Sequence, residues 1–247
     1  SNDLSNIAQF NLSSSEYFLL ENRYRDIGND GVTLTIRKND GTEVQQTFTN
    51  DNDTFVFQGS DFDDLFEQGV IIDVSDFDWS LPGGLDIGPD DNEGTADDRE
   101  LNGGILIWHI DESVINKKTS QNSGVNSNPD RRGVDLEEAE GSQDIGKPLD
   151  GALDNSAAFG IPFDFWWSGN NFTVVNQGSQ VSLYENQFTP KTFPDTDSNS
   201  GGKTFVRFFD FSDNLPSATF KIEAFTDSEF DYTEVLSSTQ NEENYYT

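Results

Sequence analysis

The sequence predicts a mainly β protein, a sandwich-like or mixed sheet with a few short helices and long acidic loops, and three observations lead there. The run VTLTIRKNDGTEVQQTF (32 to 48) alternates apolar and polar residues on both sides of Asn39-Asp40-Gly41, a turn whose residues tolerate φ > 0. Short runs rich in β-branched and aromatic residues recur at 15 to 24, 54 to 59, 69 to 79 and 103 to 111, and again in TFVRFFDF and ATFKIEAF. Between them lie clusters of glycine, proline and acids with no helical period.

Taken in order, SEYFLLENRY (15 to 24) is a strand closed by Asp26, Gly28 and Asn29-Asp30-Gly31. The hairpin of 32 to 48 follows, then TFVFQG, and then DFDDLFEQG (61 to 69), the one place in this half where a turn or two of helix is expected. GVIIDVSDFDW is a further strand, and LPGGLDIGPDDNEGTADDRE (81 to 100) is a loop. GGILIWHID (103 to 111) is apolar on both faces, the signature of an interior strand. NKKTSQNSGVNSNPDRR (116 to 132) reads as a mobile polar connection and GVDLEEAEG (133 to 141) as the opening of a short helix. FGIPFDFWWSGNNFTVVN (159 to 176) is aromatic, and the tail beyond Phe225 is acidic and frayed. The expected division is 1–158, 159–226 and an acidic tail 227–247.

Composition narrows function. Asp and Glu number 46 against 14 Lys and Arg, a net charge of −32, which repels nucleic acid and anionic lipid and attracts hard divalent cations. No cysteine is present, so thiol catalysis and thiolate zinc sites are excluded. No apolar run has the ~18 residues of a membrane span, so membrane insertion is not expected. Methionine is absent even at position 1, which points to a mature or excised polypeptide with its export signal and any upstream domain outside it.

His109 is the single histidine. In a strand it shares a face with Ile105 and Ile107, and the expected role is structural, with a carbonyl or carboxylate satisfying the ring. A hydrolytic zinc site needs three histidine-rich ligands, which this chain cannot supply alone. No Gly-x-Ser-x-Gly elbow is present either.

SEYFLLENRYR, GGILIWHIDESV, DRRGVDLEEAEG and QFTPKTFPDTDSNSGGKTFVRFFDF, in that order, resemble segments of secreted bacterial zinc metallopeptidases of the immune inhibitor A type. The Glu21-Asn22-Arg23 triplet, IWHIDE (107 to 112) and the acidic stretch 133 to 141 are the most specific matches, and the resemblance spans about half of the chain. It implies the C-terminal part of a peptidase region and the strands beyond, in an extracellular or cell-surface bacterial protein with an upstream peptidase domain as partner. The family's His-Glu-x-x-His motif has no counterpart here, so no catalytic role carries over and zinc is not expected in this chain. Residues 26 to 102 read as an elaboration between two family segments.

Among the retained residues, Glu21 and Arg23 are expected in a structural ion pair, with Arg23 reaching Glu112 or Asp135. Two sets of acids are expected to hold calcium. The better is Asp111, Glu112, Asp135, Glu137 and Glu138, where carboxylates leave an interior strand. The other is Asp86, Asp90, Asp91, Asn92, Glu93, Asp97 and Asp98, in a flexible loop. Trp166 and Trp167 are the residues expected to touch a ligand if the aromatic stretch binds sugars. Three functions follow in order: a non-catalytic, calcium-stabilised portion or degenerate relative of a secreted metallopeptidase, an adhesion or carbohydrate-binding module facing an extracellular protein or glycan, and a carboxylate-based hydrolase.

Overall fold

The computed structural model describes residues 7–25, 31–48, 69–76, 78, 81–87, 92–120, 124–128, 131–146, 160–176, 179–182 and 184–224. The strand expected at 54 to 59, the helix of 61 to 69 apart from Gly69, the acidic tail, Asp90 and Asp91 lie outside them. The chain is mainly β: fourteen strands and a single α-helix occur among the described residues, in several antiparallel sheets. It divides into two compact units, one of residues 1–22, 105–213 and 217–247, the other of 23–104 and 214–216.

The first unit is built on a four-stranded sheet in the order β1 (Ile7–Asn11), β2 (Glu16–Tyr24), β8 (Gly103–Asp111), β9 (Val134–Leu136). Strand alternation selects its core, with Phe18 and Leu20 two apart on β2 and Ile105 and Ile107 two apart on β8. Against them pack Ala139, Trp166, Phe188, Val206, Phe208 and Phe211. The last three belong to β13 (Val206–Phe209) and the residues just after it; β13 lies between β12 (Gln187–Phe188) and β14 (Lys221–Ala224). Phe18 meets Phe188 edge-on at 5.2 Å, and Trp166 lies 5.3 Å from both Phe188 and Phe211, so the core is an aromatic cluster.

Trp166 and Trp167 are 2% and 0% exposed. Trp166 exchanges both backbone bonds with Ile105, and its indole donates to the Glu137 carbonyl at 2.8 Å. The sequence expectation of a sugar platform is therefore corrected: these rings fill the interior, because a bridge to the interior strand turns them inward.

Two local expectations also change. The connection after β8 opens with α1 (Glu112–Ser120), whose N-terminus is capped by Asp111: its Oδ1 accepts the Ser113 and Val114 N–H groups at 2.9 and 3.2 Å. The stretch 133 to 141 is the short strand β9 followed by a turn rather than a helix, since its residues pair with Trp108, His109 and Ile110 of β8.

In the second unit β3 (Val32–Lys38) lies between β4 (Glu43–Phe48) and β5 (Gly69–Val74), and Val32, Leu34 and Ile36 bury one alternating face. The hairpin forms at Asn39-Asp40-Gly41, with Gly41 at φ 85 and Asp40 accepting the Thr42 N–H at 2.9 Å. A short pair, β6 (Gly84–Asp86) and β7 (Arg99–Leu101), also belongs to this unit. A Cβ on Gly83 would stand 1.9 Å from Nη1 of the buried Arg25, so only glycine fits there.

Candidate metal centre

The inward face of β8 that carries Ile105 and Ile107 continues to His109, which is 4% exposed. Its Nδ1 lies 3.0 Å from Glu137 Oε1 and its Nε2 lies 2.9 Å from Glu16 Oε1, while the Phe18 ring packs at 4.7 Å. Glu16 Oε1 also accepts the Asn199 N–H. Burial works against the charged imidazole, but the hydrogen bonds and charges of Glu137 and Glu16 prevail and raise its pKa above the usual value. An imidazolium donates from both nitrogens and has no lone pair for a metal. His109 is thus a clamp joining β2, β8 and the turn after β9.

The first expected calcium set is taken apart by the same neighbourhood. Asp111 caps α1 and meets Arg131 at 3.4 Å and Asn199 at 3.3 Å. Glu112 accepts from the Tyr17 hydroxyl at 3.2 Å, Asp135 pairs with Arg132 at 2.7 Å, and Glu137 faces His109. Only Glu138 of the five belongs to a cluster able to hold an ion.

In the second set, Asp86 pairs in register with Arg99, and Asp98 accepts the Gly94 and Thr95 N–H groups at 2.6 and 3.2 Å. The Thr95 hydroxyl lies 2.7 Å from Asp97 Oδ1, 3.1 Å from the Asn92 carbonyl and 3.2 Å from Asp98 Oδ1. The described part of this loop is a turn capped by its own acids.

Arg23 pairs with Asp78 at 2.5 Å, not with Glu112 or Asp135, and Glu21 accepts from the Trp108 indole at 2.8 Å. The reason is register: the Glu112 N–H bonds to the Ser15 carbonyl, so the start of β2 is beside Glu112, and Arg23 lies near its far end.

The acids that do converge are Glu138, Glu140 and Asp164, with one carboxylate oxygen from each lying within 4.8 Å of the others. Ala139 is the pivot. Its methyl enters the core and its N–H donates to the Asp164 carbonyl at 3.0 Å, which turns its two flanking glutamates to the other side and sets them beside Asp164. A turn closed by Gly141, at φ 87, then wraps the chain back over them.

Each carboxylate is held by donors. Glu138 accepts the Asp144 and Ile145 N–H groups at 2.7 and 2.9 Å, and Glu140 accepts the Ser142 N–H at 3.0 Å together with the Ser142 hydroxyl. Asp164, at the end of a 3-10 turn (Pro162–Asp164), accepts the Ile161 N–H at 2.6 Å. The three are 0%, 1% and 3% exposed, and no lysine or arginine among the described residues pairs with any of them.

Burial, with mutual repulsion added, pushes Glu138 up to about 7 and Asp164 up to about 8, and it raises Glu140 as well. Two full charges at 4.8 Å repel by about 3 kcal/mol at an effective dielectric constant of ~20. The cluster therefore carries protons or a cation. The donor set is all oxygen, which suits calcium and not zinc. Oxygens bound to one calcium at about 2.4 Å can be no farther apart than about 4.8 Å, a limit that these three oxygens satisfy.

Glu140 and Asp164 were not among the expected ligands. The available signal was an acid between apolar neighbours, Glu140 after Ala139 and Asp164 between Phe163 and Phe165, in segments otherwise destined for the core. Comparison with protein-family models, curated proteins and solved structures finds no match, so what this chain binds has to be read from its own geometry.

Proposed function

We propose that this chain is a non-catalytic, β-rich binding or structural module held in its working conformation by calcium at Glu138, Glu140 and Asp164. The observation that carries the reading is the convergence on one point of three buried carboxylates that no lysine or arginine among the described residues pairs with. The cation would be bound by those three side chains, and its charge would replace the protons they otherwise need. Calcium titrated calorimetrically into chelator-treated protein is expected to bind saturably, and Asp164→Asn to abolish that binding. Equal binding by the variant would overturn the assignment.

A relationship to the non-catalytic part of the immune inhibitor A-type peptidases remains our proposal for its origin, with export from a bacterial cell and an upstream peptidase domain as its corollaries. What supports it is that the four segments carrying the resemblance meet around β8. Glu16 and Glu137 hold His109, and Asn199 bonds to Glu16, to Asp111 and to the Arg132 carbonyl. A scaffold that places those segments together gives a physical reason for their joint presence. The upstream reading frame tests it: a zinc-binding helix is expected there, and a gene encoding this module alone would count against the proposal.

A further inference from the structure

We propose that His109 is a pH-operated latch: loss of one of its two ring N–H protons releases Glu16 and, with it, the tip of the loop around Asn199. The ring spans two carboxylates, Glu137 at Nδ1 and Glu16 at Nε2. A neutral imidazole keeps one N–H and turns a lone pair outward at the other nitrogen, so one carboxylate must then face that lone pair. The surroundings decide which. Among the described residues the Glu137 side chain has no donor besides the ring, whereas Glu16 Oε1 also accepts the Asn199 N–H. Glu137 is also fixed on both sides of its peptide, its N–H bonded to the Ile107 carbonyl and its carbonyl to the Trp166 indole. Glu16 is the first residue of β2, beside the exposed Ser13 and Ser14, and can turn outward. The neutral ring therefore keeps its proton on Nδ1, and Nε2 repels Glu16.

What Glu16 holds is the loop. Asn199 ties it down through its N–H to Glu16, and through its side-chain amide to Asp111 Oδ2 and to the Arg132 carbonyl, both at 3.3 Å. Those two amide bonds are long, so the bond to the Glu16 carboxylate is the strongest of the three. The base of the loop has separate anchors: the Thr196 hydroxyl donates to the Val206 carbonyl at 3.0 Å and its N–H to the Thr189 carbonyl at 3.1 Å. Release is therefore confined to the tip, where opening costs less than unfolding the core.

The charged groups around the ring set where it operates. Glu16 comes from β2, Glu137 from the turn after β9 and Asp195 from the loop itself, and all three favour the imidazolium. Asp135, the register partner of His109 on β9, is paired with Arg132, Asp111 further along β8 meets Arg131, and Lys203 is paired with Asp197. The acids facing the ring outweigh its burial and move its titration above the ordinary 6.5. The latch is closed at pH 6.5 and below, and opens on the alkaline side.

His109 is the single histidine, so its ring signals in a nitrogen-15-labelled full chain are unambiguous. An NMR titration from pH 5 to 10 should show both ring nitrogens protonated at the acid end and the Nδ1–H tautomer at the alkaline end. Protection of the Asn199 amide against hydrogen exchange, corrected for the intrinsic rate, should fall about tenfold for each pH unit above the midpoint of the ring, as opening linked to one proton requires. The amides of β8 should stay at least about a hundredfold better protected than Asn199. Glu16→Gln supplies both an acceptor for Asn199 and a donor for the neutral ring, and should lower the midpoint of the ring and abolish the pH dependence at Asn199. The proposal is overturned by an Nε2–H tautomer, by a ring still doubly protonated at pH 10, or by Asn199 protection that is constant through the titration of the ring. Exchange at Asn199 no faster than in β8, or an unchanged response in Glu16→Gln, overturns it as well.

Discussion

Two buried clusters of charge stand within the first unit, and they solve the same electrostatic problem in opposite ways. Around His109 the acids Glu16 and Glu137 face a cation supplied by the protein itself, one proton-bearing ring between two carboxylates. Around Ala139 the acids Glu138, Glu140 and Asp164 face one another, and among the described residues their donors are backbone N–H groups and one serine hydroxyl. In the first cluster both carboxylates have the imidazole within hydrogen-bond distance, although one ring faces two acids and burial raises the pKa of Glu137. The second is complete only with added protons or an added cation. Burial is common to both; what separates them is that a basic side chain faces the acids in the first and none among the described residues faces those in the second.

The largest effect is expected at His109. Replacement by leucine leaves two buried carboxylates without their partner, and urea denaturation should show a loss of about 3–5 kcal/mol. The same operation in the other cluster should have the reverse sign. In calcium-free solution at pH 8, Asp164→Asn removes one of three repelling groups and should raise stability by about 1 kcal/mol, or about 2–4 °C in melting temperature for a chain of this size. A destabilised Asp164→Asn protein in calcium-free buffer would show that the cluster is not strained by charge.

The pH dependence of the calcium-free protein sharpens the distinction. The folded values of about 7 for Glu138 and about 8 for Asp164 exceed the ordinary 4.5 and 3.8. Between those limits the folded state holds more protons than the unfolded chain, so the stability these two groups contribute is complete below about pH 4 and is lost as pH rises toward 8. His109, also raised, contributes stability that is complete below 6.5 and fades as pH passes its higher folded value, so it adds to the same decline. Saturating calcium should flatten the profile above pH 7, since the metal takes the place of the lost protons. Melting curves from pH 5 to 9, with and without calcium, check both slopes.

The smallest effect is expected where charge is exposed. Arg207 and Glu223 pair across β13 and β14 with 42% and 49% of their side chains exposed. Glu223→Gln should change stability by less than about 1 kcal/mol. A larger change there would show that burial is not what gives the other charges their weight.

How much of this was legible in the sequence follows from the range of the interactions involved. The hairpin at Asn39-Asp40-Gly41 and the interior character of β8 are local: turn chemistry and alternation determine them within a few residues. The structural role of His109 was legible too, because Ile105 and Ile107 share its face, although Glu16, which lies 93 residues away in sequence, was not identifiable as its partner. Helix α1 was missed because Asn116, Lys117, Lys118 and Thr119 offer no apolar stripe, and the helix depends on its Asp111 cap. Glu138 was among the expected ligands, but its companions were hidden. Asp164 reaches it only through the Ala139–Asp164 backbone bond, and the tryptophans beside Asp164 drew the eye to a surface role that the Trp166–Ile105 bridge denies them.

Glu138, Glu140 and Asp164 are proposed to form a site that calcium completes. The most direct measurement is the melting temperature of chelator-treated protein at pH 8 before and after millimolar calcium, in the native chain and in Asp164→Asn. Binding at about a hundredfold excess over the dissociation constant adds about 2.7 kcal/mol, so the native chain should gain roughly 5–10 °C and the variant almost nothing. A native chain whose melting is indifferent to calcium, or a variant that responds as fully as the native chain, would contradict the claim.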